Sequence, residues 1–354
     1  MKKISKEIRI GKCTIGIGHP TFIVAEMSGN HGGSLERALE IVRAAKRSGA
    51  DAIKLQTYTA DTITLKCDRE DFLIPAGTPW ADHSNLWDLY DEAHTPWDWH
   101  DAIYREARSL DMEVFSSPFD ESAVDLLERF ESPAYKIASP EITHIPLLEK
   151  VARTGKPVII STGIAELADI ELAIATLRGA GASEIIVLKC TTAYPAPIDE
   201  TNLHTIPDMA SRFGVLSGLS DHSVGTAVPI AAVALGASFI EKHFTLDDGE
   251  ETVDSFFSSG EIEFTHMVKD IRLIEKALGC ISYEITPSAM PNLRGRRSIY
   301  VAEAIKAGEI ITESNIKSVR PSLGLHPKHY NEILGHRTKR DLQVGDRLSW
   351  DVVE

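Results

Sequence analysis

The sequence predicts a (β/α)8 barrel, a TIM barrel, followed by a small β-rich module. Eight short apolar or β-branched runs, helix-period segments between most of them, and a composition shift near residue 285 together predict it. In chain order the runs are TFIVAEMS, DAIKLQTY, EVFSSPF, AYKIAS, PVIISTG, EIIVLKCT, GVLSGLSDH and ASFIEKHF. Between them SLERALEIVRAAKRSGA, SAVDLLERF, IPLLEKVARTG, LADIELAIATLRGAGA and VGTAVPIAAVALGA repeat apolar residues at helical spacing, several ending in a glycine stop. An open doubly wound sheet is the alternative. Eight near-regular units, and no GxGxxG after the first strand, disfavour it.

One stretch breaks the rhythm. From Thr57 to Trp99 about forty residues separate the second and third strands, far beyond an ordinary βα loop. Four of the five tryptophans, Trp80, Trp87, Trp97 and Trp99, fall in this insertion. They suit either a loop that needs its own small core or the apolar walls of a substrate site. After FTHMVKDIRLIEKALG, the segment ISYEITPSAMPNLRGRRS has the composition of a linker, so the barrel is expected over 1–284 and a second domain over 285–354. That second domain carries a weak internal repeat, AIKAGEIITESNIKSVR against DLQVGDRLSWDVVE, which suggests a compact pseudo-symmetric module.

Composition narrows the function. The 354 residues are 43% hydrophobic and 25% charged, with 37 basic against 52 acidic residues and a net charge of -15. Such a balance repels nucleic acid and anionic membranes, so neither is an expected partner, and any bound phosphate needs a local cluster of donors. Four cysteines without CxxC spacing fit a reduced cytoplasm. The charged N-terminus lacks the apolar block of a signal peptide, and no run of 18 apolar residues occurs; a soluble cytoplasmic protein is expected.

In a barrel of this kind the chemistry sits where the strands end, so polar residues there are candidates. They are dense: Glu26, Lys54, Lys136 and Ser139, Ser161 before Gly163, Tyr194, Ser220 and His222, then Glu241 and His243. Strand alternation puts Glu241 and His243 on one face and turns Lys242 toward the helices, where it is structural. His222 and His243 then share a level on neighbouring strands, as two metal ligands or as two hydrogen-bonding loop caps. Lys54 and Lys136 end apolar strands and need compensating anions: acidic side chains, or a phosphate also held by nearby hydroxyls and the glycine turn.

Taken together, AEMSGNHGGSLERALEIVRAAKRSGADAIKLQTY, FSSPFD, YKIASPEI, STGIAE, LSDHSVG and EKHF resemble the N-acetylneuraminate (sialic acid) synthase family over nearly the whole chain. The C-terminal module resembles that family's antifreeze-like (SAF) domain. Within the family, AEMSGNH, KLQTYT and EAHTPWDWH look more like the pseudaminic acid synthases, and Thr192 stands where the sialic acid enzymes commonly have Asn. The resemblance implies condensation of phosphoenolpyruvate with an amino sugar, here 2,4-diacetamido-2,4,6-trideoxy-L-altrose, with C–O cleavage and release of phosphate. N-acetylneuraminate or legionaminic acid synthesis is the alternative, and a non-catalytic carbohydrate-binding protein a remote one. By the same resemblance, His222 and His243 hold a divalent ion, usually Mn2+, with Mg2+ or Co2+ as substitutes. Glu26 handles protons during water attack. Lys54, Lys136, Ser139, Ser161 and Gly163 cradle phosphoenolpyruvate, while Tyr194, Ser220 and Asp254 face the sugar. Arg320 of VRPSLG enters a partner's site in a domain-swapped homodimer.

Overall fold

The computed structural model describes residues 7–78 and 80–354. It divides into two compact units, Met1–Gly279 and Cys280–Glu354. The division falls five residues before the one expected from composition, because the last barrel helix stops at Leu278 and Gly279 turns the chain at φ +49.

The first unit opens with an antiparallel hairpin, β1 (Glu7–Ile10) and β2 (Cys13–Gly16). Sequence reading does not foresee it. Its isoleucines at alternate positions, Ile8, Ile10 and Ile15, are fully buried against inner barrel residues such as Phe22, Phe115 and Leu216, where they plug the N-terminal end. Eight parallel strands then close a barrel: β3 (Phe22–Glu26), β4 (Ala52–Thr57), β5 (Glu113–Pro118), β6 (Tyr135–Ile137), β7 (Val158–Ser161), β8 (Ile185–Cys190), β9 (Leu216–Asp221) and β10 (Phe239–His243), with β10 pairing back onto β3. All eight coincide with the runs read from the sequence.

Helices follow the strands. In chain order they are α1 (Leu35–Arg47), α2 (Ala60–Ile63) and α3 (Leu86–Ala93) inside the insertion, α4 (His100–Ser109), α5 (Glu121–Arg129), α6 (Ile145–Ala152), α7 (Leu167–Gly179), α8 (Thr205–Phe213), α9 (Ala227–Ala234) and α10 (Glu261–Leu278). Their starts obey local chemistry: Ser34 caps α1 by accepting from Arg37 N, and Asp120 caps α5 through two backbone amides. Their apolar faces meet the outward strand residues Ala25, Ile53, Ile137, Ile160, Val187 and Ile240 in the main core. The inward residues Val24, Ala52, Phe115, Ile159, Leu188 and Phe239 fill the barrel. Gly218 belongs to this inner set because a Cβ there would collide with the Phe239 carbonyl and stand 2.9 Å from Leu188 Cδ2. Among the described residues no helix is long and apolar enough to cross a membrane.

In the second unit β11 (Ser298–Val301) pairs antiparallel with β12 (Ile316–Val319), isolated bridges add further pairings, and α11 (Tyr330–Ile333) is a single turn. The internal repeat is physical. Ile305 and Leu342, equivalent in the two halves, exchange both backbone hydrogen bonds, at 2.9 and 2.8 Å. In each half the residue after this pair donates its amide to the acid that follows the glycine: Lys306 N to Glu309, Gln343 N to Asp346.

Candidate active site

Alternation and register assemble the site. On each barrel strand, residues an even number of positions from the apolar inner residue also point inward. From Val24 this gives Glu26; from Ala52, Lys54 and Gln56; from Ile159, Ser161; from Leu188, Cys190; from Leu216, Ser220 and His222; from Phe239, Glu241 and His243. Lateral pairing then sets Glu26 beside Lys54 and His243, and Glu241 beside Ser220. These residues, with Lys136, Ser139 and Tyr194, line a cavity of about 60 Å3 at the C-terminal ends of the strands. A larger groove of about 780 Å3 lies at the opposite end of the strands, around Gly16, Thr21 and Ser217, away from this chemistry.

The two lysines are compensated by acids. Lys54 Nζ is 2.6 Å from Glu26 and 3.7 Å from Glu241, while Lys136 Nζ is 3.1 Å from Glu241. All four side chains are at most 5% exposed. Burial opposes every one of these charges. At Lys54 the two carboxylates overcome it and raise the ammonium above its ordinary value; at Lys136 burial prevails and lowers it. Burial likewise raises the Glu26 carboxyl despite Lys54, whereas at Glu241 the pull of Lys136 and Lys54 outweighs burial and the carboxyl stays low. Of the two compensations left open by the sequence, the acidic one is realised. Beside it the buried Ser161 hydroxyl has no partner among the described residues, while Gly163 N donates to Ser139 Oγ at 2.9 Å. Gly163 leaves this corner open, since a Cβ there would strike Thr192 Oγ1 and stand 2.8 Å from Ser139 Oγ.

The imidazoles of His222 and His243 face each other with ring centres 5.3 Å apart. His222 Nδ1 donates to the Thr191 carbonyl at 2.9 Å, which leaves its other nitrogen as an acceptor. His243 Nδ1 is buried and has no partner among the described residues. Burial, then the neighbouring His222 and lysine charges, hold His243 well below the usual histidine range, so it is neutral. The Cys190 thiol lies 4.0 Å from His222 Nδ1 and, although burial works against its ionisation, His222 draws it down to about 7. Burial opposes the charged form of His222, but the Cys190 thiolate and the Thr191 carbonyl outweigh it and raise this imidazole above its ordinary value. When it gives up that proton, its free nitrogen and the neutral His243 fit a divalent ion that takes its remaining ligands from water or substrate oxygens.

Lys242 is structural, as alternation requires: it points outward, fully buried, with Nζ 2.6 Å from Asp221 and a further bond to the Ser223 carbonyl. Aromatic rings wall the imidazoles. Tyr194 lies 4.5 Å from His222 and Phe257 4.7 Å from His243, centre to centre. The insertion divides between its two readings. Trp80 reaches the site, 5.7 Å from Tyr194, and is anchored by its indole N–H on Val253 O. Trp87 bonds Asp61 within the loop, Trp97 bonds Tyr58 O at its start, and Trp99 packs on His31. A groove of about 840 Å3 runs outward past Trp80 and Phe256.

Ser220 bonds Glu241 at 3.2 Å. Asp254, on the loop after β10, accepts from Ser28 Oγ and Gly29 N, and burial raises its carboxyl. Arg320 follows β12 in the second unit and is exposed. Glu241, Gln56 and Cys190 are the residues to which sequence reasoning assigns no role. Glu241 and Gln56 stand at strand ends that sequence reading marks as candidates, Glu241 on one face with His243, without a task for either; the contact of Cys190 with His222 depends on two strands meeting.

Residues 41–283 match the NeuB family and residues 296–354 the SAF domain. The chain belongs to the NeuB family. It is similar to the pseudaminic acid synthase of Campylobacter jejuni subsp. jejuni serotype O:23/36 (strain 81-176), 46% identical over 92% of this chain and 95% of that one. The pseudaminic acid synthase of Helicobacter pylori (strain ATCC 700392 / 26695) is 46% identical over 95% of this chain and 98% of its own. Among solved structures, the N-acetylneuraminic acid (sialic acid) synthetase of Leptospira borgpetersenii serovar Hardjo-bovis, crystallised with citrate, superposes with a TM-score of 0.73 at 30% identity, covering 83% of this chain and 97% of that one.

Proposed function

We infer that this chain condenses phosphoenolpyruvate with 2,4-diacetamido-2,4,6-trideoxy-L-altrose and water, giving pseudaminic acid and phosphate. The observation that carries the reading is the meeting of an ammonium pair and an imidazole pair in one cavity at the barrel's C-terminal end. The sugar is chosen by the likeness to the two pseudaminic acid synthases.

Each group has a task in that reaction. Lys54 and Lys136 attract the carboxylate and phosphate of phosphoenolpyruvate, and Ser139, Ser161 and the Gly163 turn supply short-range donors. The incoming anion competes with Glu241 for both lysines, so Glu241 keeps the two ammonium groups charged and in place between turnovers. Glu26, raised by burial, is suited to taking a proton from the water that attacks the cationic carbon. Tyr194, Ser220 and Asp254 orient the sugar against it. His222 and His243 would hold a divalent ion, Mn2+ by family resemblance with Mg2+ or Co2+ as substitutes, which when bound supplies Lewis-acid polarisation of the sugar aldehyde.

We further read the protein as a cytoplasmic homodimer in which Arg320 serves the partner's site. Four free cysteines suit a reducing compartment. Residues 280–354 carry 11 basic and 9 acidic side chains in a chain of net charge -15, so the small unit is slightly positive and the rest of the chain negative.

The test is phosphate release from phosphoenolpyruvate by chelator-treated protein given manganese, with the altrose or with N-acetylmannosamine. Release with the altrose alone supports the proposal. Release with N-acetylmannosamine alone moves the chain to the sialic acid branch, and release with neither refutes both.

A further inference from the structure

We propose that Ser28 is a positioning residue whose hydroxyl, acting through the Gln56 carboxamide, holds Glu26 and Asp254 in one fixed arrangement. The proposal rests on the condensing activity inferred above. It starts from a local anomaly: Ser28, just beyond β3, has φ +47 and is only 5% exposed. In this left-handed region a Cβ crowds the backbone, and glycine would sit there without strain. A serine retained in a conformation that favours glycine points to a use for its hydroxyl.

The hydroxyl makes two hydrogen bonds, and their directions are forced. Asp254 Oδ2 is an acceptor, so Ser28 Oγ donates its single hydrogen there. The same oxygen accepts from Gln56 Nε2 at 2.9 Å. Gln56 Nε2 has two hydrogens, and the second goes to Glu26 Oε1 at 3.0 Å. One amide group therefore bridges the carboxylate assigned to water activation and, through Ser28, the carboxylate assigned to the sugar. Gly29 N adds a 3.2 Å bond to Asp254 Oδ2, which fixes the loop after β10 against the end of β3. Ser28, Gln56 and Asp254 bond none of Lys136, Ser139, Ser161 and Gly163 across the cavity; among the described residues Glu26, 2.6 Å from Lys54, is their one link to the phosphoenolpyruvate side.

This separation gives a pattern that a merely structural role does not. Ser28→Gly relieves the backbone strain and removes the hydroxyl. The chain should stay folded with a melting temperature no lower than that of Ser28→Ala, which loses the same bonds and keeps the strain. With the hydroxyl gone, Gln56 and Glu26 lose their common anchor, and kcat should fall about 10- to 100-fold in both variants. KM for the sugar should rise through Asp254 by more than KM for phosphoenolpyruvate, which the chain reaches only through the Glu26–Lys54 pair. Gln56→Leu should give a similar loss, and the Ser28→Gly/Gln56→Leu double variant little more than either alone, because both break one chain. Unchanged kcat in Ser28→Gly, or losses that multiply in the double variant, would overturn the proposal. A crystal structure of Ser28→Gly decides it independently of turnover: Gln56 should leave Glu26, and a carboxamide still bonded to Glu26 overturns the idea. If the wild-type protein releases no phosphate with either sugar, the functional reading fails, and the Gln56 position in that crystal still decides the positioning claim.

Discussion

Replacing Lys242 with methionine should destabilise the barrel more than any surface change, although Lys242 never touches the cavity. Its ammonium is 2.6 Å from Asp221 with side-chain exposures of 1% and 2%, and no water can replace it. Lys242→Met keeps the volume and strands the Asp221 charge, and breaking one side of a buried pair costs about 3–5 kcal/mol. Asp221 retains two bonds from Ser223, N–H at 3.0 Å and O–H at 2.7 Å, which places the loss toward the lower end of that range. In a unit that spans Met1–Gly279, about 3 kcal/mol corresponds to a melting shift of roughly 5 °C. Lys242→Met/Asp221→Asn, which removes the stranded charge, should recover a good part of it, with a coupling of about 1–3 kcal/mol. Circular dichroism melts of the three proteins at neutral pH are the assay. A single variant that melts within about 2 °C of wild type, or a double variant no better than the single, would refute the assignment of Lys242 as an obligate counter-ion.

Gly163→Ala should raise KM for phosphoenolpyruvate at least about tenfold with little change in melting, because its Cβ fills the corner between Thr192 and Ser139; an unaltered KM in steady-state kinetics would show that the anion binds elsewhere. His243→Ala should weaken manganese binding by about 10- to 100-fold in equilibrium dialysis while leaving the melting curve intact, and undiminished binding would remove the imidazole pair as the ion's site. The pH dependence has a definite sign. His31 and His100 are buried and held down to about 4, whereas an unfolded histidine titrates near ~6.5. Between those values the unfolded chain binds protons that the native one refuses, so stability should fall as pH drops through this window, by up to about 3 kcal/mol for each histidine. His100→Asn should flatten its share of the melting-temperature profile, and an identical profile in the variant would contradict the assignment.

The barrel is legible in the sequence because its strands are buried on both faces and each ends in polar residues at alternate positions. The hairpin at the N-terminal end is not, since a plug needs only Ile8, Ile10 and Ile15, and these are dispersed among charges. α4 and α8 also escape: the first adjoins the tryptophan-rich insertion, and the second, TIPDMASRF, is short with a proline in its first turn. For the site, alternation supplies which residues face inward but not which meet. Lys54 finds Glu241 across 187 positions of sequence only because β10 closes onto β3. That closure also explains why the lysines' partners could be stated only as a choice between side-chain acids and phosphate. Trp80 shows the same limit, since nothing local separates it from Trp87, which stays within the loop.

The measurement that tests the central claim most directly uses phosphoenolpyruvate carrying heavy oxygen in the bridge between carbon and phosphorus, with the altrose as acceptor and mass spectrometry of both products. Water attack on carbon with C–O cleavage predicts the heavy oxygen in phosphate and none in the sugar acid. Heavy oxygen retained in the acid, or no acid formed, would contradict it.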